Sequence, residues 1–522
     1  MCVEQEGCVS EVVESTGAPS VELGRRAGER SESRLLIDGA LTPATGEVTF
    51  ENLSPATGLV LGVAAAAGAD DMDRAIGAAR RAFDETDWST NRPLRKRCLD
   101  QFQAAIESEK EELREELVAE VGCPLMSTSD AQLEWPLADS LRYPASLIDD
   151  FEWERTLDGG GLFGARNVRT VVKEPAGVVA AITPSNYPIE VILNKLGPAL
   201  AAGNTVVLKP DPNTPWSAAR LGRLIAEKTD FPPGVVNVVT TPDNEVAGLL
   251  ASDPRVDLVS FTGSTAVGRH LMREGAATMK RTFLELGGKS AMIVLDDADP
   301  SKVTMGAVGA CSHAGQACAV NSRLLVHQSL LDEVVANVTA AYQMIPVGDP
   351  ALADTFVGPV ISAAQKQRVL GALEQARTDG AEFHTGGVEY AGLPDHLRAG
   401  HFVAPTVITG VDNSAAIAQQ EIFGPVVVIM PFTDDDDAVR IANDSAFGLA
   451  GAILSAGNER GMAVARRIRT GSLGVNGGMF YGADAPFGGY KNSGVGRQCG
   501  LEGFSQYLET KTIGYRLPRN KS

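Results

Sequence analysis

Between residues 177 and 285, short apolar runs alternate with amphipathic helical stretches, and this alternation restricts the fold more than any other feature of the chain. The apolar runs are GVVAAI, TVVLK, GVVNVV and DLVSF, and WSAARLGRLIAEK is one of the stretches between them. Strands that alternate with helices are typical of βαβ units with parallel strands. A second such region, 287–485, carries SAMIVL, SRLLVH, GPVVVIM and GSLGVN. The pattern predicts an α/β protein whose first region is a doubly wound parallel sheet.

The charge of the chain argues against two classes of partner. Asp and Glu total 66 against 46 Lys and Arg, which gives a formal net charge of -20 at pH 7. A chain this acidic is not expected to bind nucleic acid or an anionic membrane surface. No apolar run approaches the roughly 20 residues that span a bilayer, so no membrane association is predicted.

The N-terminal segment and the cysteines bear on the cellular compartment in which the protein is expected. Residues 1–33 are rich in Glu, Ser and Gly and lack the basic start and apolar stretch of a signal peptide, which predicts a disordered acidic tail. The seven cysteines are an odd, scattered set without paired spacing, which favours free thiols. A cytoplasmic location is therefore expected. No metal site is predicted.

Two glycine motifs lead to different predictions. GGGLFG, residues 159–164, matches G-x-G-x-x-G, but polar ERTLD precedes it and strand-like RNVRTVV follows, so a loop is expected. In FTGSTAVGRH, residues 261–270, Gly263 and Ser264 follow an apolar strand and open a helix. The N-terminus of a helix suits a pyrophosphate, although many turns of this kind hold no ligand.

One cysteine stands in a run of small residues. In SHAGQACAVNSR, Cys318 is flanked by Ala317 and Ala319. A free thiol is more often an inert small hydrophobic group than a nucleophile. Two flanking alanines, however, leave the space that a nucleophile facing a bulky substrate and a flat cofactor needs.

A carboxylate and an amide could assist such a thiol. Glu285 ends an apolar segment and could serve as a general base for water, although a helix-cap or surface glutamate is an equal alternative. Asn186, between two prolines in ITPSNYP, could donate to a developing oxyanion together with the Cys318 N–H, although an ordinary turn asparagine is the alternative.

Seven motifs in a fixed order add a resemblance. They are ITPSNYP, GNTVVLKP, FTGSTAVG, LELGGKS, GQACAVNSR, EIFGPV and PFGGYKNSGVGR. Together they resemble the aldehyde dehydrogenase superfamily, from about residue 35 to the C-terminus. The resemblance implies three parts: a Rossmann-like cofactor domain (34–155 and 176–286), a catalytic α/β domain (287–485) and a small β oligomerisation arm (156–175 and 505–516). It also implies a homodimer or homotetramer.

The resemblance assigns catalytic roles. Cys318 would add to the carbonyl of an aldehyde, and Asn186 with the Cys318 N–H would hold the oxyanion. Hydride transfer to NAD would leave a thioester, which Glu285 would hydrolyse by activating water. Lys195 falls on a family position near the active site that is implicated in proton relay.

The resemblance also assigns binding roles. The implied cofactor residues are Ile182, Thr183, Lys209, Asp211, Gly263, Ser264, Glu421 and Phe423. The implied substrate pocket consists of Val191, Asn194, Ser312, Ala317, Tyr481 and Phe487. This lining favours apolar or aromatic aldehydes over anionic ones.

The chain departs from the family pattern at three positions. Pro212 replaces the glutamate that binds the adenosine ribose hydroxyls, which leaves use of NADP open, although Asp211 keeps a negative charge nearby. Ser185 replaces a tryptophan beside Asn186. Gln498 replaces the glutamate of a proton relay with Lys195, so any relay must work otherwise.

Three rival functions are set against hydrolytic aldehyde oxidation. An acylating dehydrogenase would pass the thioester to coenzyme A, but that branch typically lacks the glutamate that Glu285 matches. A cofactor-independent thiol acyl hydrolase would use Cys318 and Asn186 without the cofactor motifs. A non-catalytic protein would not need Cys318, Glu285 and Asn186 together.

Overall fold

The computed structural model describes residues 17–157, 167–388, 390 and 392–517. Its strands are β1 (Leu35–Ile37), β2 (Ala40–Thr42), β3 (Thr49–Leu53), β4 (Val60–Ala65), β5 (Glu154–Leu157), β6 (Asn167–Pro175), β7 (Val178–Ile182), β8 (Thr205–Lys209), β9 (Val236–Val238), β10 (Leu258–Thr262), β11 (Arg281–Glu285), β12 (Ala291–Val294), β13 (Arg323–His327), β14 (Glu382–Thr385), β15 (Thr406–Thr409), β16 (Val426–Phe432), β17 (Gly451–Leu454), β18 (Gly474–Val475), β19 (Gly494–Val495) and β20 (Leu508–Arg516).

The α-helices of the same residues are α1 (Pro19–Glu29), α2 (Ala69–Glu85), α3 (Arg92–Ser108), α4 (Lys110–Glu116), α5 (Glu134–Asp139), α6 (Arg142–Asp150), α7 (Pro188–Ala202), α8 (Pro215–Lys228), α9 (Asn244–Ser252), α10 (Thr265–Gly275), α11 (Pro300–Gly309), α12 (Leu331–Gln343), α13 (Ala363–Thr378), α14 (Ala416–Gln419), α15 (Asp435–Asn443), α16 (Asn458–Ala465) and α17 (Gly500–Ser505). None of these helices is both long enough and apolar enough to cross a bilayer.

The first sheet is built on parallel strands, as the alternating pattern predicts. Its order is β19-β11-β10-β7-β8-β9-β1-β2, and β11, β10, β7, β8 and β9 run parallel. Alternate residues of β7 enter different cores: Val179 packs with α3, α7 and α8, whereas Val178 packs with α2 and α9. Apolar side chains on both faces explain why these strands read as continuous apolar runs.

The register of this sheet places four strand ends side by side. Ile182 pairs with Lys209 and with Phe261, and Thr262 pairs with Glu285. The carboxyl ends of β7, β8, β10 and β11 therefore meet at one edge. In open α/β sheets that edge is where ligands bind.

The second sheet has the order β14-β15-β16-β13-β12-β17-β18, and all its pairs are parallel except β14 with β15. All four apolar runs predicted for this region are strands of the sheet. The chain then returns to the first sheet, because β19 pairs antiparallel with β11. The predicted cofactor domain, which ends at residue 286, does not include β19.

A third sheet has the order β20-β6-β5 and is separate from the other two. The strand predicted from ETKTIGY lies within β20, which pairs with β6 along its whole length. Because β20 is an outer strand of this sheet, one of its edges has no partner strand among the described residues, and in β20 only Leu508 is buried. Such edges are commonly covered by a partner, and the oligomerisation role of this sheet stays a prediction.

The predicted disordered tail is wrong for part of its length. Residues 19–29 form α1, with Pro19 in its first turn, and Leu23 and Ala27 are buried one turn apart on one face. A Cβ at Gly24 would lie 2.7 Å from the Leu61 side chain, so the helix packs closely on the body of the protein. Residues 1–16 and the glycine run GGGLFG lie outside the described residues.

Candidate active site

A cavity of about 610 Å³ opens at the carboxyl edge of the first sheet, and residues of the second α/β region complete its wall. Twelve of the eighteen residues to which the resemblance assigns a catalytic or binding role line it: Asn186, Val191, Asp211, Gly263, Ser264, Glu285, Ala317, Cys318, Glu421, Phe423, Tyr481 and Phe487. The remaining six, Ile182, Thr183, Asn194, Lys195, Lys209 and Ser312, are not part of this lining.

Cys318 lies in the loop before β13, with Ala317 and Ala319 beside it in the cavity wall. The small neighbours therefore leave the thiol accessible from the cavity, as the sequence suggests. Burial raises the pKa of the Cys318 thiol, and the charges of Glu285 and Glu421 raise it further. Glu285 is the strongest of these charges, which shows that the base candidate and the thiol are close enough to affect each other.

Glu285 is the last residue of β11 and is only 4% exposed. Neither of its carboxylate oxygens has a hydrogen-bond partner among the described residues. Burial raises the pKa of this carboxyl well above its usual range, and the charges of Lys195 and Arg497 only partly oppose the shift. An unpartnered buried carboxyl is costly for folding, which argues against a purely structural role.

Asn186 is held on both its backbone and its side chain. Its Nδ2 donates to the carbonyl oxygen of Gln316 at 2.7 Å, and its own carbonyl accepts from Gln132 Nε2 at 2.8 Å. An amide nitrogen carries two hydrogens, so one N–H of Asn186 is fixed by Gln316, and the other, which has no partner among the described residues, can donate to a ligand. Gln316 also precedes Cys318 by two residues and therefore ties the amide to the thiol loop.

Lys195 is fully buried and is not part of the cavity lining. Its Nζ donates to Ser260 Oγ at 3.1 Å and lies 5.1 Å from the centre of the Phe283 ring. Burial lowers the pKa of Lys195 to about 7, although the charge of Glu285 raises it. Gln498, which replaces the relay glutamate, does line the cavity, and its Oε1 has no hydrogen-bond partner among the described residues.

The strand ends at the edge of the first sheet fit a dinucleotide. Ile182 and Lys209 end neighbouring strands, and the Thr183 N–H donates to the Lys209 carbonyl at 3.1 Å. The side-chain hydroxyls of Thr183 and Thr262 are buried and have no partner among the described residues. Unpaired donors at this edge are expected where a ligand supplies the missing hydrogen bonds.

The position predicted for a pyrophosphate, Gly263 and Ser264, lies at the N-terminus of helix α10. Ser264 is the N-cap of α10, and its Oγ accepts from the Val267 N–H at 3.3 Å. Gly263 precedes it, and a Cβ at that position would lie 2.4 Å from the Phe261 ring. The glycine is therefore required for close packing at the cavity, whether or not a phosphate binds.

Glu421 and Phe423, for which the resemblance predicts contact with the cofactor, lie together in the cavity wall. Glu421 Oε1 accepts from the Gly288 N–H at 3.0 Å, and a Cβ at Gly287 would lie 2.1 Å from the Glu421 carboxylate. The two glycines therefore let the carboxylate approach the backbone beside Glu285. Phe423 has a φ of 56°, a left-handed conformation that a bulky residue rarely adopts and that often marks a functional site.

The opposite wall of the cavity is aromatic. The Tyr481 ring lies 5.0 Å from Trp135 and 5.0 Å from Phe487, in both cases edge to face. Asn194 does not line the cavity but donates to the Tyr481 hydroxyl at 3.1 Å, so it supports this wall from behind. Ser312 lies in a short helical turn before Cys318 and does not join the wall.

Several residues of the cavity region have no role in the sequence prediction, among them Gln132, Trp135, Glu190 and Gln316. Glu190 had a signal, because it is a charged residue within the apolar helix α7. Gln316 lies in the cysteine motif itself. Trp135, which lines the cavity, and Gln132, which donates to the Asn186 carbonyl, had no such signal, because their segment is far from any motif.

A model of the aldehyde dehydrogenase family matches residues 42–513, which is most of the chain. The chain belongs to the aldehyde dehydrogenase family. Its similarity to 3-succinoylsemialdehyde-pyridine dehydrogenase of a Pseudomonas species is 41% identity over 494 residues, which covers 93% of this chain and 99% of that protein.

Two solved structures of aldehyde dehydrogenases are close in fold. Betaine aldehyde dehydrogenase of Staphylococcus aureus, solved with NAD⁺, matches with a TM-score of 0.90 at 34% identity, covering 94% of this chain and 97% of that one. Aldehyde dehydrogenase C of Pseudomonas syringae, solved with NAD⁺ and octanal, matches with a TM-score of 0.87 at 36% identity, covering 92% and 96%.

This aldehyde dehydrogenase is thus an NAD-dependent oxidoreductase that oxidises aldehydes, and it has the fold expected from the resemblance. The rival readings of a cofactor-independent hydrolase and of a non-catalytic protein are set aside. No group of three or more His, Cys, Asp or Glu side chains among the described residues is placed to hold a metal ion.

Proposed function

We propose that this aldehyde dehydrogenase oxidises an aldehyde to a carboxylic acid, with Cys318 as nucleophile, Asn186 as oxyanion donor and Glu285 as base. One observation carries the proposal: a single cavity contains an accessible thiol, an amide with one N–H already fixed, and a carboxyl without a partner. These are the three groups that acyl chemistry at a thiol requires.

In the first half of the reaction, Cys318 loses its thiol proton to solvent, the thiolate adds to the carbonyl carbon, and the carbonyl oxygen becomes an oxyanion. The free N–H of Asn186 and the backbone N–H of Cys318 donate to that oxygen. Bound NAD supplies the acceptor for the hydride that leaves the same carbon. Cys318 is then a thioester.

In the second half, Glu285 takes a proton from water, and the hydroxyl adds to the thioester carbon. The C–S bond breaks, the carboxylic acid leaves and Cys318 is regenerated. We propose that Lys195 acts on this step through its charge, since it influences the ionisation of Glu285 without lining the cavity. The presence of Glu285 favours water over coenzyme A as the acceptor of the acyl group.

Replacing Asn186 by alanine is expected to lower kcat about 100-fold, because one of the two oxyanion donors is lost. KM for the aldehyde should change much less, since the donor acts on charge that develops after binding. Steady-state kinetics measures both. The matched control is Asn337→Ala on α12, outside the cavity, which should leave both constants unchanged. A loss confined to KM would contradict the oxyanion role.

We propose that Asp211 favours NAD over NADP in place of the missing glutamate at Pro212. Asp211 follows β8 in the cavity wall, and its carboxylate accepts from the Asn213 N–H at 2.9 Å. A carboxylate at this position accepts from ribose hydroxyls and repels a 2′-phosphate.

Replacing Asp211 by asparagine keeps the turn, since an amide oxygen can accept the same hydrogen bond, but removes the charge. The preference for NAD, measured as the ratio of kcat/KM values for the two cofactors, should fall about tenfold. Asp354→Asn, an exposed position outside the cavity, is the control. An unchanged ratio would show that residues other than Asp211 discriminate between NAD and NADP.

We also propose that the protein is a cytoplasmic homodimer or homotetramer in which a partner covers the third sheet. The exposed residues and the unpaired edge of β20 support the assembly.

A further inference from the structure

A second carboxylate stands in the substrate side of the cavity and has no part in the proposed reaction. Glu190 lies on α7, four residues after Asn186, and its side chain lines the cavity. Oxidation of an aldehyde needs one base, which Glu285 supplies. A charged side chain in a mostly apolar helix that faces a cavity requires another explanation.

No cationic side chain of the described residues compensates the charge of Glu190. Burial raises the pKa of its carboxyl to about 7; the Tyr481 hydroxyl, which hydrogen-bonds it, lowers that pKa, and the like charge of Asp130 raises it. The one arginine in the cavity wall, Arg368, donates to the Glu421 carbonyl at 3.0 Å and so lies beside the residues for which contact with the cofactor is predicted. The substrate side therefore carries a negative group without a counter-charge.

The aromatic wall adds a second attraction for a positive charge. Tyr481, which bonds Glu190, lies between Trp135 and Phe487 at 5.0 Å from each ring. The faces of aromatic rings attract ammonium groups, and more strongly where water is excluded. A carboxylate set among aromatic rings is thus suited to a cation.

We infer that Glu190 selects aldehydes that carry a positively charged nitrogen, such as short ω-aminoaldehydes. This inference rests on the proposed function of the same cavity and narrows its substrate class. Glu190 and Cys318 line the same cavity, so the nitrogen and the reacting carbonyl of one substrate would both lie within it. A bound ammonium would in turn favour the ionised form of Glu190.

The test compares three aldehydes of similar size: 3-aminopropanal, which is cationic, butanal, its neutral isostere, and 4-oxobutanoate, which is anionic. We expect kcat/KM with NAD to be highest for 3-aminopropanal and lowest for 4-oxobutanoate. In Glu190→Gln, kcat/KM for 3-aminopropanal should fall about 10- to 100-fold, the loss expected for one charge-assisted contact, while the value for butanal stays within about threefold.

Two further variants separate charge from folding. Glu190→Asp keeps the charge and should keep the preference for 3-aminopropanal over butanal. Glu152→Gln makes the same substitution at an exposed position outside the cavity and should change nothing. Equal losses for both substrates in Glu190→Gln, or a wild-type preference for butanal, would overturn the inference. If none of the three aldehydes reduced NAD, the proposed function itself would fail.

Discussion

The Cys318→Ala variant is expected to form no NADH from any aldehyde, a loss of at least about 10⁴-fold in kcat. Without the sulfur there is no covalent adduct from which a hydride can leave, and Asn186 and Glu285 have no intermediate to act on. NADH absorbance in a stopped-flow instrument measures the rate of NADH formation in both the wild-type protein and the variant.

The variant should still fold and bind NAD, because alanine occupies less space than cysteine in the same loop and the cofactor-side residues are unchanged. Calorimetric titration with NAD provides that readout. Cys98→Ala is the matched control, since Cys98 is buried in α3 and does not line the cavity. Residual NADH formation in Cys318→Ala at more than a trace would show that another residue is the nucleophile.

The Glu285→Gln variant is expected to separate the two halves of the reaction. Glutamine has the size of glutamate but cannot accept a proton from water, so the thioester should accumulate. We expect a burst of about one NADH per active site, followed by steady-state turnover reduced about 10³-fold. Glu152→Gln serves as the control here as well. If NADH formation in a single turnover fell as far as the steady-state rate, the base assignment would be wrong.

The pH dependence of the second half follows from the same carboxyl. Because burial raises the pKa of Glu285 well above its usual range, Glu285 is protonated at low pH and cannot act as a base. Hydrolysis of the thioester should therefore rise with pH through that elevated pKa, and this rise should be absent in Glu285→Gln. Rapid-quench measurement of thioester decay at several pH values tests whether the hydrolysis rate rises with pH.

The strands of the first sheet could be predicted because their pattern is local. In β8 every residue is buried, as the apolar run at its centre indicates, and Asn186 lies four residues after the end of β7, the strand that its motif predicts. Helix α1 could not be predicted in the same way. Its only buried apolar side chains are those of Leu23 and Ala27, beside buried Ser20 and Gly24, and it is held by contacts with distant segments, such as Ser20 with Asp349.

The residues of the candidate site differ in the same way: some stand in local motifs, and others depend on contacts between segments that are distant along the chain. Cys318 and Glu285 stand in motifs that can be recognised along the chain. The hydrogen bond that orients Asn186 joins it to a residue 130 positions away, and the ring contact of Trp135 with Tyr481 spans a greater distance still. Such pairs depend on how the α/β regions pack, which no pattern along the chain encodes.

Mass spectrometry of Glu285→Gln, mixed with NAD and an aldehyde and quenched in acid, tests the central claim most directly. We expect the protein to gain the mass of the aldehyde less two hydrogens, the signature of a thioester, and the adduct to map to the peptide that contains Cys318. An adduct on a different residue, or an unmodified protein after NADH has formed, would contradict it.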